Sequence, residues 1–162
     1  MKHLGILSLL AALAFSTNGA HAAPASINPC AVVTRADASM ALGVPAPPGF
    51  AASHIVNAEL GGGHPVGPKV LCRYLTSVGD VNAHIQSYAS ARSKFDADRK
   101  AWWPTKAYTG IGDGAFYAGG GNMEVLKGHY ILWLSLTFKK QIAPRYADPR
   151  LIALAKKAVT RL

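Results

Sequence analysis

The alternation of apolar and polar side chains is clearest over residues 130–138. Leu132, Leu134 and Leu136 fall on one face of an extended chain, and Trp133 falls on the other. A two-residue period in a segment rich in aliphatic and aromatic residues is typical of a β-strand. Because both faces carry apolar side chains, we predict that this strand lies in the centre of a sheet.

Shorter strand patterns occur at five other places. The predicted strands are 69–76, 80–88, 114–118, 123–126 and one through His54-Ile55-Val56. Glycine and proline clusters mark the turns between them. Short connections join most of these segments, so we predict a twisted antiparallel sheet of about five or six strands.

Two helices are predicted before the strong strand. The first covers residues 35–42, because Thr34 is a good N-cap with Asp37 three residues later, and Gly43 is suited to the position after the helix. The second covers 89–101 and is mostly polar. We expect it to lie on the sheet with its long face in water.

A third helix is predicted at the end of the chain. Residues 149–161 place Leu, Ala and Val at helical spacing, after Asp148 as N-cap and Pro149 at the first helical position. Helices and strands together predict an α+β fold in which the three helices pack against the sheet.

Residues 1–22 have the pattern of an export signal. Lys2 precedes an apolar run over 4–15, and Ala20-His21-Ala22 has the small-residue form that signal peptidase accepts. The alternative, an uncleaved membrane anchor, is less favoured because the apolar run is shorter than the ~20 residues of a spanning helix. We therefore predict one periplasmic or secreted domain over 23–162.

The chain has two cysteines, Cys30 and Cys72. An even number of cysteines in a protein predicted to be exported favours a disulfide. The alternative is a redox or metal-binding thiol pair, but the chain has no Cys-x-x-Cys motif. We predict a structural disulfide between the two residues.

Glycine-rich stretches raise the question of a phosphate-binding loop. Gly110, Gly112 and Gly114 are not followed by the Gly-Lys-Ser/Thr of a Walker motif, and the next element is a predicted strand instead of a helix. These residues are better suited to a turn with left-handed backbone. We assign no catalytic residue and no cofactor, and a Glu/Asp pair for glycoside hydrolysis would have to use Glu59 or Glu124.

Three residues leave open a second class of function. His54, Glu59 and His64 flank a predicted hairpin, and their side chains are of the types that bind zinc or copper. If they converged, the protein would be an envelope hydrolase or a metal-binding protein. No two histidines have the His-x-x-x-His spacing of a metal motif, so we assign no metal ligand from the sequence.

Positive charge gives the best indication of a binding surface. The formal net charge is +9, and basic and aromatic residues cluster around the polar helix. The candidate binding residues are Arg92, Lys94, Arg99, Trp102, Trp103 and Lys106. We expect an anionic envelope component or an acidic partner protein. Nucleic acid is not expected, because the protein is predicted to leave the cytoplasm.

The order of several motifs resembles a known family. Asn28-Pro29-Cys30 precedes Val33-Thr34-Arg35-Ala36-Asp37, Cys72-Arg73-Tyr74 follows on a predicted strand, and Gly110-Ile111-Gly112-Asp113-Gly114 precedes a hairpin. This order is similar to a family of small secreted bacterial proteins and lipoproteins of unassigned function. The resemblance implies a PsbP-like fold, an antiparallel sheet packed by helices, and it supplies no catalytic residues. The lipid-attachment motif of the lipoproteins is absent from this sequence.

Overall fold

The computed structural model describes residues 27–53, 70–102, 106–140 and 149–162, which contain four helices and seven strands. The helices are α1 (Pro29–Val32), α2 (Arg35–Leu42), α3 (Ala91–Ala101) and α4 (Pro149–Val159). The strands are β1 (Phe50–Ser53), β2 (Val70–Leu75), β3 (Gly79–Ser87), β4 (Lys106–Tyr108), β5 (Gly114–Gly119), β6 (Asn122–Lys127) and β7 (Tyr130–Phe138).

The seven strands form one open antiparallel sheet in the order β1-β2-β3-β7-β6-β5-β4. The predicted α+β fold and the central place of β7 are confirmed. Two of the described strands, β1 and β4, were not predicted, and β4 has only three residues and shows no two-residue period. The strand predicted through residues 54–56 lies outside the described residues, and β1 ends directly before it.

The first face of the sheet carries the main hydrophobic core. Cys72, Ala83, Leu134 and Met123 form one row across β2, β3, β7 and β6, and all four are fully buried. Apolar side chains of α1, α2 and α4 belong to the same core cluster. Each fully buried leucine of this kind contributes about 1.5–3 kcal/mol.

Helix α3 covers part of the second face. Its Phe95 packs on Phe116 of β5, with ring centroids 5.1 Å apart. Ala91, Leu126 and Ile131 complete this smaller core cluster. The prediction that the polar helix lies on the sheet with one long side in water is confirmed.

The ends of the helices show which local signals were sufficient. Helix α2 begins and ends where the sequence predicts, since Thr34 and Asp37 exchange hydrogen bonds as a capping box and Gly43 adopts a φ of +72°. Helix α4 begins at Pro149, as predicted, and Asp148 lies outside the described residues. Gly110 and Gly112 adopt positive φ as expected, whereas Gly114 starts β5 at a position where a Cβ would lie 3.1 Å from the Phe95 ring.

The predicted disulfide between Cys30 and Cys72 is confirmed. The two sulfur atoms are 1.98 Å apart, and the Cα–Cα distance is 5.1 Å, within the usual range for a disulfide. The bridge joins α1, a helix too short to be predicted, to β2 in the sheet. A second link lies beside it, since the Tyr74 hydroxyl donates to the Val33 carbonyl oxygen at 2.6 Å.

Asp37 ties the N-terminal helices to the last helix. Its carboxylate accepts from Arg161 Nη1 at 2.6 Å, and the same nitrogen donates to the Val32 carbonyl oxygen at 2.7 Å. Burial by itself would raise the pKa of Asp37, but hydrogen bonds from Arg161 and Thr34 outweigh burial and lower it. The Asp37 carboxylate is therefore ionised in the folded protein at neutral pH.

Replacing Asp37 by alanine is expected to lower the free energy of unfolding by about 2 kcal/mol at pH 7, because the helix cap and a buried ion pair are lost together. Urea unfolding measures the change. Asp37→Asn keeps a capping oxygen and should lose less. The pKa of Asp37 is lowered in the folded protein. The difference in unfolding free energy between the wild type and the variants should therefore disappear as the pH falls through that pKa. A loss below about 0.5 kcal/mol in Asp37→Ala would contradict the assignment.

Candidate functional site

Arg92 and Lys94, the first two residues of the predicted basic surface, make contacts within the protein. Arg92 is exposed, but its Nη2 donates to the Asp113 carbonyl oxygen at 2.9 Å and its guanidinium lies 5.8 Å from the Phe95 ring centre. Lys94 Nζ lies 2.5 Å from both carboxylate oxygens of Asp98, and the Lys94 side chain is only 9% exposed. Lys94 therefore presents little charge to a ligand.

The second half of that surface is open to solvent. Arg99 and Lys100 are exposed in the last turn of α3, and Lys106 is exposed at the start of β4. Trp102 follows α3 and is 37% exposed. Trp103 lies outside the described residues. The structure thus brings one exposed indole and exposed cations to the C-terminal end of α3.

Trp102 is held in place by a second tryptophan. Its ring centroid lies 5.4 Å from that of Trp133, at an interplanar angle of 50°. Trp133 is half-buried on β7 and packs against the smaller core cluster. Tilted aromatic pairs at this distance are stabilising by about 0.5–1.5 kcal/mol beyond their buried area. One face of the exposed Trp102 ring is therefore fixed against the sheet.

A buried acid, named in the sequence analysis only as a possible member of a glycoside-hydrolysis pair, lies beneath α3. Glu124 of β6 is 1% exposed, and its register partners are Phe116 and Trp133. Its carboxyl group makes a hydrogen bond with Asp98, which is itself 5% exposed and paired with Lys94. Two carboxyl groups thus share one ammonium group in an apolar setting.

The pKa of Glu124 is raised to about 9. Burial is the largest cause, because an ionised carboxylate loses its hydration there, and the negative charge of Asp98 adds to the effect while Lys94 opposes it. Glu124 is therefore protonated at neutral pH and donates to Asp98.

The hydrogen bonds around this cluster are incomplete within the described residues. Glu124 Oε1 and Gln86 Nε2 are buried and have no partner there. Gln86 Oε1 accepts from the Tyr88 hydroxyl at 2.7 Å, and Lys94 Nζ lies 5.9 Å from the Tyr88 ring centre. A buried carboxyl group that stays protonated at neutral pH can hold or transfer a proton. Its position under a helix, however, keeps the pair away from a macromolecular substrate.

The rest of the second face carries half-buried polar side chains, which we call the polar face. They are Arg73, Asp80, Asn82, Asn122, Ser135 and Thr137. Asp80 organises them, since it accepts from Arg73 at 3.4 Å, from Asn82 at 3.0 Å and from the Thr137 hydroxyl. Burial would raise the pKa of Asp80, but these hydrogen bonds, first of all that of Thr137, lower it.

The residues of the second class of function lie outside the described ranges. His54, Glu59 and His64 therefore stay a prediction. In the ranges that the structure describes, no three His, Cys, Asp or Glu side chains are close enough to bind a metal ion. Helices in the same ranges are all too short or too polar to cross a membrane.

Comparison of the chain with protein-family models, with curated proteins and with solved structures gave no match. The resemblance to small secreted bacterial proteins thus remains a prediction from the motifs. We therefore propose a function from the geometry of the second sheet face.

Proposed function

We propose that the protein is an exported, non-enzymatic binding module of the bacterial envelope, and that it engages an anionic envelope component or an acidic partner protein. The export pattern of the first 22 residues supports a periplasmic or secreted location. The disulfide between Cys30 and Cys72 is compatible with that location, because such bonds persist in oxidising compartments.

The exposed Trp102 among cations is the observation that carries the proposal. An indole is costly to leave in water, and it is the side chain most often found at the energetic centre of a binding surface. Arg99 and Lys100 precede it by three and two residues, respectively, and are both exposed. The surface therefore combines an aromatic contact with positive charge, which suits an anionic ligand.

The double variant Arg99→Gln/Lys100→Gln tests the proposal. We expect binding to a polyanion to weaken about thirtyfold, since each of the two cations near an anionic surface contributes about 1 kcal/mol. The measurement is a titration of purified protein with anionic vesicles, an acidic polysaccharide and poly-glutamate at two salt concentrations. Raising the salt should weaken binding of the wild type.

Lys156→Gln/Lys157→Gln is the matched control. It removes the same charge from exposed positions on α4, which packs on the first face of the sheet. If both double variants lose the same affinity, binding depends on net charge alone. The proposal is also wrong if the wild type binds none of the three polyanions.

A further inference from the structure

We infer that the ligand is an acidic polysaccharide, which binds along the polar face with sugar rings on Phe50 and Trp102. This inference rests on the proposed function and narrows it to one class of ligand. It follows from the order of polar side chains across the sheet, from the aromatic rings next to them and from the charge around them.

One row of side chains crosses five strands. Register pairs place Phe50 beside Arg73, Arg73 beside Asn82, Asn82 beside Ser135 and Ser135 beside Asn122. At a strand spacing of about 4.8 Å this row extends over roughly 19 Å. All four polar members are half-buried, so a ligand that lies across the strands can reach each of them.

The polar members can both donate and accept hydrogen bonds. Asp80 accepts hydrogen bonds from one nitrogen of Asn82 and one nitrogen of Arg73. These bonds do not use the Asn82 carbonyl oxygen or the other guanidinium nitrogens of Arg73. Arg73 Nε is buried and has no partner among the described residues. Sugar hydroxyls also donate and accept, and a face held in advance by Asp80 loses little side-chain entropy on binding.

One aromatic ring lies at the β1 end of the polar row, and two others lie beside the row. Phe50 is 48% exposed at the β1 edge. Trp133 is two residues from Ser135 on the same face of β7, about 7 Å along the strand, and Trp102 packs on it. The electron-rich face of an aromatic ring attracts the weakly positive C–H groups of a sugar ring.

The charges favour an acidic sugar over a neutral one. Arg73 lies within the row with its side chain 43% exposed, but its guanidinium is already paired with Asp80, so most of the positive charge comes from the lysines and the arginine around the row. Arg99 and Lys100 are exposed beside Trp102, and Lys139 and Lys140 are exposed directly after β7. Carboxylate groups on the polymer would pair with these cations. A guanidinium also binds a carboxylate through two parallel hydrogen bonds.

An acidic partner protein fits this face less well. The centre of a protein interface is usually apolar and poor in charge, whereas the centre of this row is Asn82 and Ser135. An anionic lipid surface would contact the exposed cations, but it has no ring to place on Phe50 or Trp102.

Isothermal titration of the oxidised protein with alginate oligosaccharides tests the inference, because alginate is a polymer of uronic acids. The comparison ligands are poly-glutamate, dextran and phosphatidylglycerol vesicles. We expect alginate to bind at least about tenfold more tightly than poly-glutamate or dextran. Phe50→Ala and Asn82→Ala should each weaken alginate binding about tenfold, and Trp102→Phe should weaken it less than Trp102→Ala.

Folding of each variant is checked by circular dichroism, and Phe50→Ala is the safest variant because Phe50 is half exposed. Lys156→Gln is the control and should bind like the wild type. If alginate and poly-glutamate bind equally and the Phe50 and Asn82 variants change neither, the sugar inference is overturned while the proposed function stands. Binding to vesicles without binding to alginate overturns it in the same way. If no polyanion binds, both are wrong.

Discussion

Replacing both cysteines by alanine is expected to lower the free energy of unfolding by about 4 kcal/mol. The bridge closes a loop of 42 residues, and the chain-entropy relation gives roughly this value for such a loop. Cys72 is also fully buried in the main core. Because small domains are stable by only about 5–15 kcal/mol, the variant should unfold at a much lower urea concentration than the wild type.

The wild type under reducing conditions provides the matched comparison. Dithiothreitol should destabilise the wild type by a similar amount and should leave Cys30→Ala/Cys72→Ala unchanged. The hydrogen bond from Tyr74 to Val33 is present in both proteins, so α1 keeps one link to the sheet. A change below about 1 kcal/mol in the variant would show that the bridge contributes little to stability.

The pH dependence of stability is expected to reveal the buried acid beneath α3. Glu124 has a pKa of about 9 in the folded protein, against an ordinary value of 4.5. Between these two values the folded state binds one more proton than the unfolded state, so stability must fall as the pH rises. The slope is about 1.4 kcal/mol per pH unit from this group, and it ends once the pH exceeds the folded pKa.

Glu124→Gln isolates this effect. The amide keeps the size of the side chain and a hydrogen-bond donor to Asp98, but it cannot ionise. We expect the variant and the wild type to have similar stability near pH 5 and the variant to be the more stable protein at pH 8 and above. Urea unfolding at each pH unit from 5 to 9 measures the difference between the two curves.

Asp113→Asn is the control for a carboxyl group outside this cluster. Asp113 is exposed, and the backbone N–H of Gly128, followed by Lys127, lowers its pKa. It is therefore already ionised across the whole pH range of the experiment, and its variant should follow the wild-type slope. Parallel curves for Glu124→Gln and the wild type would mean that Lys94 keeps Glu124 ionised in the folded protein.

Local signals in the sequence were enough for the elements whose ends are set by neighbouring residues. Thr34, Asp37 and Gly43 determine α2 because they satisfy its free backbone groups. The alternation in β7 arises because one face of the strand packs on the main core. Its central position could be predicted because both faces carry apolar residues. Elements of three or four residues, such as α1 and β4, depend on tertiary contacts and leave no period to detect.

The candidate site was only partly predictable, because its residues come together across the sheet. Ala91, Lys94, Phe95, Asp98 and Trp102 have helical spacing, and this spacing could have placed Lys94 and Asp98 on the buried side. Glu124 stands between apolar residues of a predicted strand, yet its partner on α3 is known only from the fold. The row from Phe50 to Asn122 depends on the strand order. In that order β3 lies beside β7, although some forty residues of chain separate the two strands.

That strand order also has a consequence for how the protein is made. Among the described strands, the sheet consists of two local meanders, β1 to β3 and β4 to β7, which the β3–β7 ladder joins from Gly79–Phe138 to Ser87–Tyr130. A chain that emerges N-terminus first has both cysteines available before β7 exists, so the bridge can form on a half-built sheet. Until the last strand arrives, the edge of β3 stays open to pairing with other chains, and folding is slowed by this long-range closure. The period between the two events is when the nascent protein most needs protection from aggregation.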